Sequence, residues 1–126
     1  MEFSITLPLP PTLNQQINEA RSHWSKSAKT KKHWTNLIAV MLIQQQAPKF
    51  EGEIWLRYDW TVSFRNDPDN TAAAAKFIND GLTDAGVIVK DNLTIIQSPV
   101  LHFYNKKRAK QEEVCLLQIQ DFPHSF

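Results

Sequence analysis

A single cysteine, Cys115, occurs among 126 residues. That excludes a disulfide framework and a thiolate metal site within the chain. Cys115 lies in the apolar run VCLLQI, where a buried, inert thiol is expected. Long apolar runs are missing too: no stretch approaches the roughly 20 residues that a membrane span needs. The opening MEFSITLPLPPTLN has no basic region and is broken by prolines, so it is not a signal peptide, and a cytoplasmic protein is expected. The four histidines (His23, His33, His102 and His124) show no metal-ligand spacing. There is no internal repeat and no low-complexity segment, and the net charge is only +1, so no global basic field advertises a polyanionic partner.

What is present is ordinary in amount and uneven in placement. Hydrophobic residues make up 42% and charged residues 21%, which suits one globular domain over residues 1–126. Nine of the fourteen Lys and Arg residues fall in two blocks. The first is Arg21, Lys26, Lys29, Lys31 and Lys32; the second is Lys106, Lys107, Arg108 and Lys110. A charge run is most often a solvated face. Two such runs opposite an acidic cluster would instead suit a polyanion.

The patterning predicts a small α/β (α+β) domain with a mixed sheet and two main helices, in the order β-α-β-α-β-β. FSITL (Phe3 to Leu7) reads as a strand ended by Pro8, Pro10 and Pro11, and the polar stretch TLNQQINEARSH as a loop. Trp24 to Gln46 is helical, with Trp34, Leu37, Ile38, Met41 and Leu42 on one buried face. Ile54 to Phe64 alternates as a long strand. A second helix runs from about Asn70 to Ala85, with Ala74, Phe77, Ile78 and Leu82 inward and Gly86 as its cap. A short VIV segment follows. LTIIQSPVLHFY and EEVCLLQIQ then read as a hairpin around the loop NKKRAKQ.

The chemistry concentrates at FRNDPDN, between the long strand and the second helix. Aspartate and asparagine are good helix caps, and an acid suits the positive end of a helix. One cap needs one side chain, however, and Asp69 and Asn70 already compete for it, which leaves Asp67 over. Asp91, in VKDN, supplies a third carboxylate. A helix of about sixteen residues carries the chain back over roughly 24 Å, which allows Asp91 to return beside Asp67. Three such oxygen donors suit Mg²⁺ or Mn²⁺. Stepping along the helix from Asp69 meets Ala73, Lys76 and Asp80 on one face. Lys76 therefore either meets a phosphate oxygen or pairs with Asp80 on a wet surface.

LPLPPTLN, DPDN, KFINDGLTDAGV and KDN, in that order, resemble the RusA-like Holliday junction resolvases over about Phe3 to Gln120. The resemblance implies a small homodimeric endodeoxyribonuclease that nicks four-way DNA junctions in recombination and repair, as found in phages and prophages. It implies Mg²⁺ (Mn²⁺ as substitute), no small-molecule cofactor, and Asp67, Asp69 and Asp91 as catalytic metal ligands. The family lysine follows the second aspartate by one turn. That position is Ala73 here, and the first lysine beyond the run AAAA is Lys76, which is assigned the role. Lys90 stands where an acid often precedes the last aspartate. Lys26, Lys29, Lys31, Lys32, Lys106, Lys107 and Arg108 are the expected DNA-backbone contacts, with Asn14, Asn70 and Trp24 in supporting or DNA-facing roles. Two other readings share these features: a non-catalytic structure-specific DNA-binding protein, and a different metal-dependent flap or fork nuclease.

Overall fold

The computed structural model describes residues 1–126 as eight elements. They are β1 (Glu2–Pro8), α1 (Leu13–Ser22), α2 (Trp24–Gln44), β2 (Trp55–Val62), α3 (Pro68–Ala72), α4 (Ala75–Asp84), β3 (Leu101–Lys106) and β4 (Val114–Gln120). The four strands form one mixed sheet in the order β1-β4-β2-β3. β4 runs antiparallel to both β1 and β2, and β3 runs parallel to β2. This is a single α+β domain, and none of its helices is long and apolar enough to cross a membrane.

The alternation in β2 fixes the orientation of the sheet. Leu56, Tyr58, Trp60 and Val62 are buried, and the register sets Tyr58 opposite Leu117 and Trp60 opposite Cys115. Ile5 and Leu7 of β1 extend this face, and Ile38, Leu42, Ile78 and Leu82 of the helices close over it. Cys115 is wholly buried, and burial pushes its thiol pKa well up, as expected of an inert core cysteine. The expected inward stripe of the second helix (Ala74, Phe77, Ile78 and Leu82) is buried. In α2, Ile38 and Leu42 are fully buried, whereas Trp34, Leu37 and Met41 are half-buried.

Gly86, at φ +75°, ends α4 in a Schellman turn. Its N–H bonds to the Thr83 carbonyl at 3.0 Å, and the Val87 N–H bonds to Leu82 at 3.0 Å. Gly81 has a different reason to be glycine. A Cβ there would stand 2.5 Å from Ile38 Cγ2 and 2.7 Å from Ile38 Cβ, so α4 meets α2 backbone against side chain.

Several expectations are corrected. The polar stretch expected as a loop is α1, a helix without one buried residue. Its start is written as Thr12-x-x-Gln15: Gln15 Oε1 accepts the Thr12 N–H at 2.9 Å, half of a capping box. The second helix is not continuous. It breaks at Ala73–Ala74, where Ala74, Lys76 and Phe77 each bond three residues back rather than four. Alanine favours a helix here, but tertiary contact overrides it, because the Ala73 carbonyl also accepts Gln16 Nε2 of α1 at 3.3 Å. VIV is not a strand; Val87 and Ile88 fill the core from an irregular segment. The next expected strand begins only at Leu101, apart from a single bridge between Ile54 and Ile96. β3 and β4 are not a hairpin, because β2 lies between them. Phe64, expected on the apolar face of β2, lies beyond its end and is 74% exposed.

On β3, His102 stacks between Tyr58 and Tyr104, and its Nδ1 accepts the indole N–H of buried Trp60 at 3.0 Å. Burial holds the His102 pKa below its ordinary value. The unfolded chain therefore protonates first as pH falls, so the fold loses stability from about pH 6.5 downward, until His102 is protonated in the folded state too. The expected result is a melting temperature that declines over this range, with a shallower decline in His102→Gln, measured by thermal unfolding in a pH series. Gly81→Ala has a separate expected outcome. Overpacking against Ile38 lowers stability by about 1–3 kcal/mol, read as a lower denaturant midpoint.

Candidate functional site

The seam between β2 and α3 is held by a chain of polar side chains. Glu113, just before β4, accepts the Ser63 N–H at 2.9 Å and Asn66 Nδ2 at 3.3 Å through one oxygen, Oε2. Asn66 Oδ1 in turn accepts Asn70 Nδ2 at 3.0 Å. Asn70 Oδ1 accepts the Asn14 N–H, at the start of α1, at 2.8 Å. Asn70 is buried, so each bond is made in surroundings where an orphaned amide is costly. Four parts of the chain are thereby tied to the loop that carries the aspartates.

The aspartates themselves take no part in this network. Asp67 occupies the N-cap position of α3 and Pro68 its first turn, yet the Asp67 side chain makes no capping bond. Asp67 and Asp69 are both exposed, and neither carboxylate is in a hydrogen bond or ion pair within the chain. The capping alternative thus fails for Asp67. Tyr104, near the end of β3, stands close enough to Asp69 to feel its charge. Burial first, and that charge second, raise the phenol pKa. The seam lies at the carboxyl ends of the parallel pair β2 and β3, where open sheets commonly bind ligands.

Asp91 stands against Asp80 of α4. Asp80 is partly buried, and its pKa is raised by burial first and also by the neighbouring Asp91, while Lys76 and Lys31 oppose the shift. Lys76 Nζ lies 3.9 Å from Asp80 Oδ2, so the pairing along the helix surface is the one that forms. The break at Ala73–Ala74 interrupts the helical face expected to link Asp69 to Lys76. Asp80 and Asp91 line one side of a cavity of about 570 Å³ between α2 and α4, and Lys31 and Lys32 line it from α2. Asp84 of α4 lines the cavity too, and no three His, Cys, Asp or Glu side chains stand together as a metal cage. Mg²⁺ commonly takes only one or two carboxylates, completing its shell with waters and substrate phosphates. Unpaired, exposed carboxylate oxygens at the seam fit that manner of binding.

The two basic blocks take up different positions. Lys26, Lys29, Lys31 and Lys32 are exposed along the first half of α2. Trp24, at its start, is 78% exposed. Lys106 closes β3, and the Lys107 N–H bonds to the Val62 carbonyl at 2.9 Å, which sets Lys107 and Arg108 beside the end of β2 that leads into the seam. Asn14 contributes its backbone to the Asn70 bond and leaves its side chain exposed. A scan against protein-family models finds no match to the chain, and neither does a search of curated proteins.

Sequence reasoning missed Glu113, Asn66 and Gln16 as supports of the seam, and Asp80 as the neighbour of Asp91. Asp80 was visible on the helical face of Lys76. Glu113 and Gln16 act across 47 to 57 residues of sequence, and no local pattern announces such contacts, whereas Asn66 also reaches Asn70 four residues on. Asn70→Ala is expected to cost about 1–3 kcal/mol, because it orphans the Asn14 N–H and frees Asn66. Asn70→Asp should cost a similar amount, since a carboxylate cannot donate to Asn66 Oδ1. Urea unfolding of the three proteins measures both.

Proposed function

We propose that the protein is a Mg²⁺-dependent endodeoxyribonuclease of the RusA-like kind, which nicks paired strands of branched DNA, four-way junctions foremost. One observation carries the reading: two carboxylates, exposed and in no hydrogen bond or ion pair, stand at the N-cap and first turn of α3, which the buried amide of Asn70 holds in place. Like charges so close repel one another, and a structure with no use for them could pair them or cap a helix with them. The DPDN, DGL and KDN motifs and their order add to this support.

In this reading Asp67 and Asp69 would hold Mg²⁺, and Asp91 marks a second acidic edge of the site. When bound, Mg²⁺ supplies positive charge to the phosphoryl oxygens and activates water. The chain's own residues do the rest. The Glu113–Asn66–Asn70 chain holds in place the backbone that carries the carboxylates. Lys107 and Arg108, beside the seam, neutralise backbone phosphates, as do Lys26 and Lys29 on α2, and affinity falls as salt rises. Lys76 balances the acids around Asp91. A homodimer presents two such sites about a two-fold axis, matching the approximate symmetry of a four-way junction.

The test is a nicking assay on a synthetic four-way junction, a flap and a linear duplex, with Mg²⁺ or with EDTA. Wild type should nick the junction only with Mg²⁺. Asp67→Asn and Asp69→Asn should each lose nicking by at least about a hundredfold while still shifting the junction in a gel, the scale of a lost transition-state contact. Mutants that nick at the wild-type rate would return these aspartates to a purely structural role. Faster nicking of the flap would favour the replication-fork alternative.

A further inference from the structure

The exposed aromatic rings of the chain differ in what holds them. Phe64 and Phe103 each meet a guanidinium, of Arg65 and of Arg57. Tyr104 is instead the outermost rung of a ladder. The rings of Trp60, Tyr58, His102 and Tyr104 lie within 13° of parallel from one neighbour to the next. His102 stands 4.8 Å from Tyr58, and Tyr104 stands 6.3 Å from His102. The rungs beneath are fixed: Tyr58 is buried and donates its hydroxyl to Asn79 Oδ1 of α4, and His102 Nδ1 accepts the Trp60 N–H. Filling the core accounts for Tyr58 and Trp60. It does not account for Tyr104, which is 41% exposed at the edge of the sheet.

The ladder ends where the seam begins. Tyr104 lies beside Trp60 in the parallel pairing of β2 with β3, at the carboxyl end of the pair and close to Asp69. Side chains on one face of a strand recur every two residues, about 6.6 Å apart. After Tyr104 the next position on this face is Lys106, which is exposed and carries no ring. Stacked bases lie about 3.4 Å apart, so one planar base fits against Tyr104 before the level of Lys106 is reached. A ring already held on its inner side loses little freedom when its outer side is covered.

We propose that Tyr104 is the platform on which one unpaired nucleobase of the bound DNA stacks, so that this base sets which phosphate faces Asp67 and Asp69. The assignment rests on the nuclease reading and deepens it by naming a residue that selects the substrate. A base inside a linear duplex must break its pair and leave its stack to reach Tyr104, whereas a base at a branch point has less to give up. The platform therefore favours branched over linear DNA. Every base has a π-face, so the selection is by structure and not by sequence.

The test compares Tyr104→Leu, which keeps bulk but loses the ring, with Tyr104→Phe, which keeps the ring and loses the hydroxyl. Binding is measured in EDTA on four-way junctions that carry 2-aminopurine at each nucleotide flanking the crossover in turn. Tyr104→Leu is expected to weaken binding at least about fivefold, the lower end of what one base–aromatic stack contributes. At one position its complex should fluoresce more brightly than that of wild type, because the stacked base is quenched. Tyr104→Phe is expected to restore both signals. Should Tyr104→Leu fail to fold, Tyr104→Trp replaces it: the wider ring is expected to bind at least as tightly as wild type, and weaker binding would count against the platform. Wild-type affinity and fluorescence in a folded Tyr104→Leu would overturn the platform and leave the nuclease reading standing. Losses as large in Tyr104→Phe as in Tyr104→Leu would assign the effect to the hydroxyl and overturn it too. Free 2-aminopurine deoxyriboside quenched by Tyr104, with no Tyr104-dependent signal from the junction, would reassign the ring to a free nucleoside and overturn the proposal. A wild-type protein that neither binds nor nicks branched DNA would overturn the nuclease reading, and this assignment with it.

Discussion

Where α4 crosses α2, Gly81 lies so close to Ile38 that one added carbon would stand 2.5 Å from it. A buried contact of this kind leaves neither helix room to shift, because packed interiors respond to a single methylene. α2 and α4 both close over the buried face of the sheet, so their mutual spacing also fixes how they sit on Tyr58, Trp60 and Leu117. Beside the crossing, where the side chains turn polar, the same spacing leaves the cleft between Lys31 and Asp91 open. Core packing and the shape of the polar cleft therefore share one cause.

The aspartate seam obeys a second constraint, of a polar kind. The exposed carboxylates of Asp67 and Asp69 make no hydrogen bond within the chain, so other groups hold this turn in place. Asn70 serves by being buried and doubly bonded, and Glu113 by accepting two donors from the turn after β2. The acid that stabilises the loop is thus distinct from the acids that the loop displays. The same economy appears at Ala73, whose carbonyl bonds to Gln16 and interrupts a run of residues that would otherwise continue as helix.

Much of the fold was legible where burial is local and periodic. The alternation through Leu56, Tyr58, Trp60 and Val62 identified β2, the stripe through Phe77, Ile78 and Leu82 identified α4, and Gly86 marked its end. α1 escaped because a helix with no buried face has no apolar period, although Thr12 and Gln15 carried its capping signature. The hairpin expected of β3 and β4 failed for another reason: hydrophobic patterning shows that a segment is a strand but not which strand lies beside it. Of the candidate site, Asp67 was legible as a carboxylate in excess of what a cap requires, with Asp69 and Asn70 as competitors for the cap. The partnership of Asp91 with Asp80 was not, because it depends on the path of the irregular segment between α4 and Asp91.

By itself, the sequence determined the classes of residue that must be buried, the absence of disulfide and thiolate chemistry, and the concentration of acid at one strand–helix junction. These follow from composition and short-range spacing, which act through the chain's own geometry. Only the tertiary structure decided the strand order, the break at Ala73–Ala74, the supports of the seam and the pairing of Asp91 with Asp80. Each of these rests on contacts between residues far apart in the chain. Their energies depend on which surfaces meet, and no local stretch of sequence contains that information.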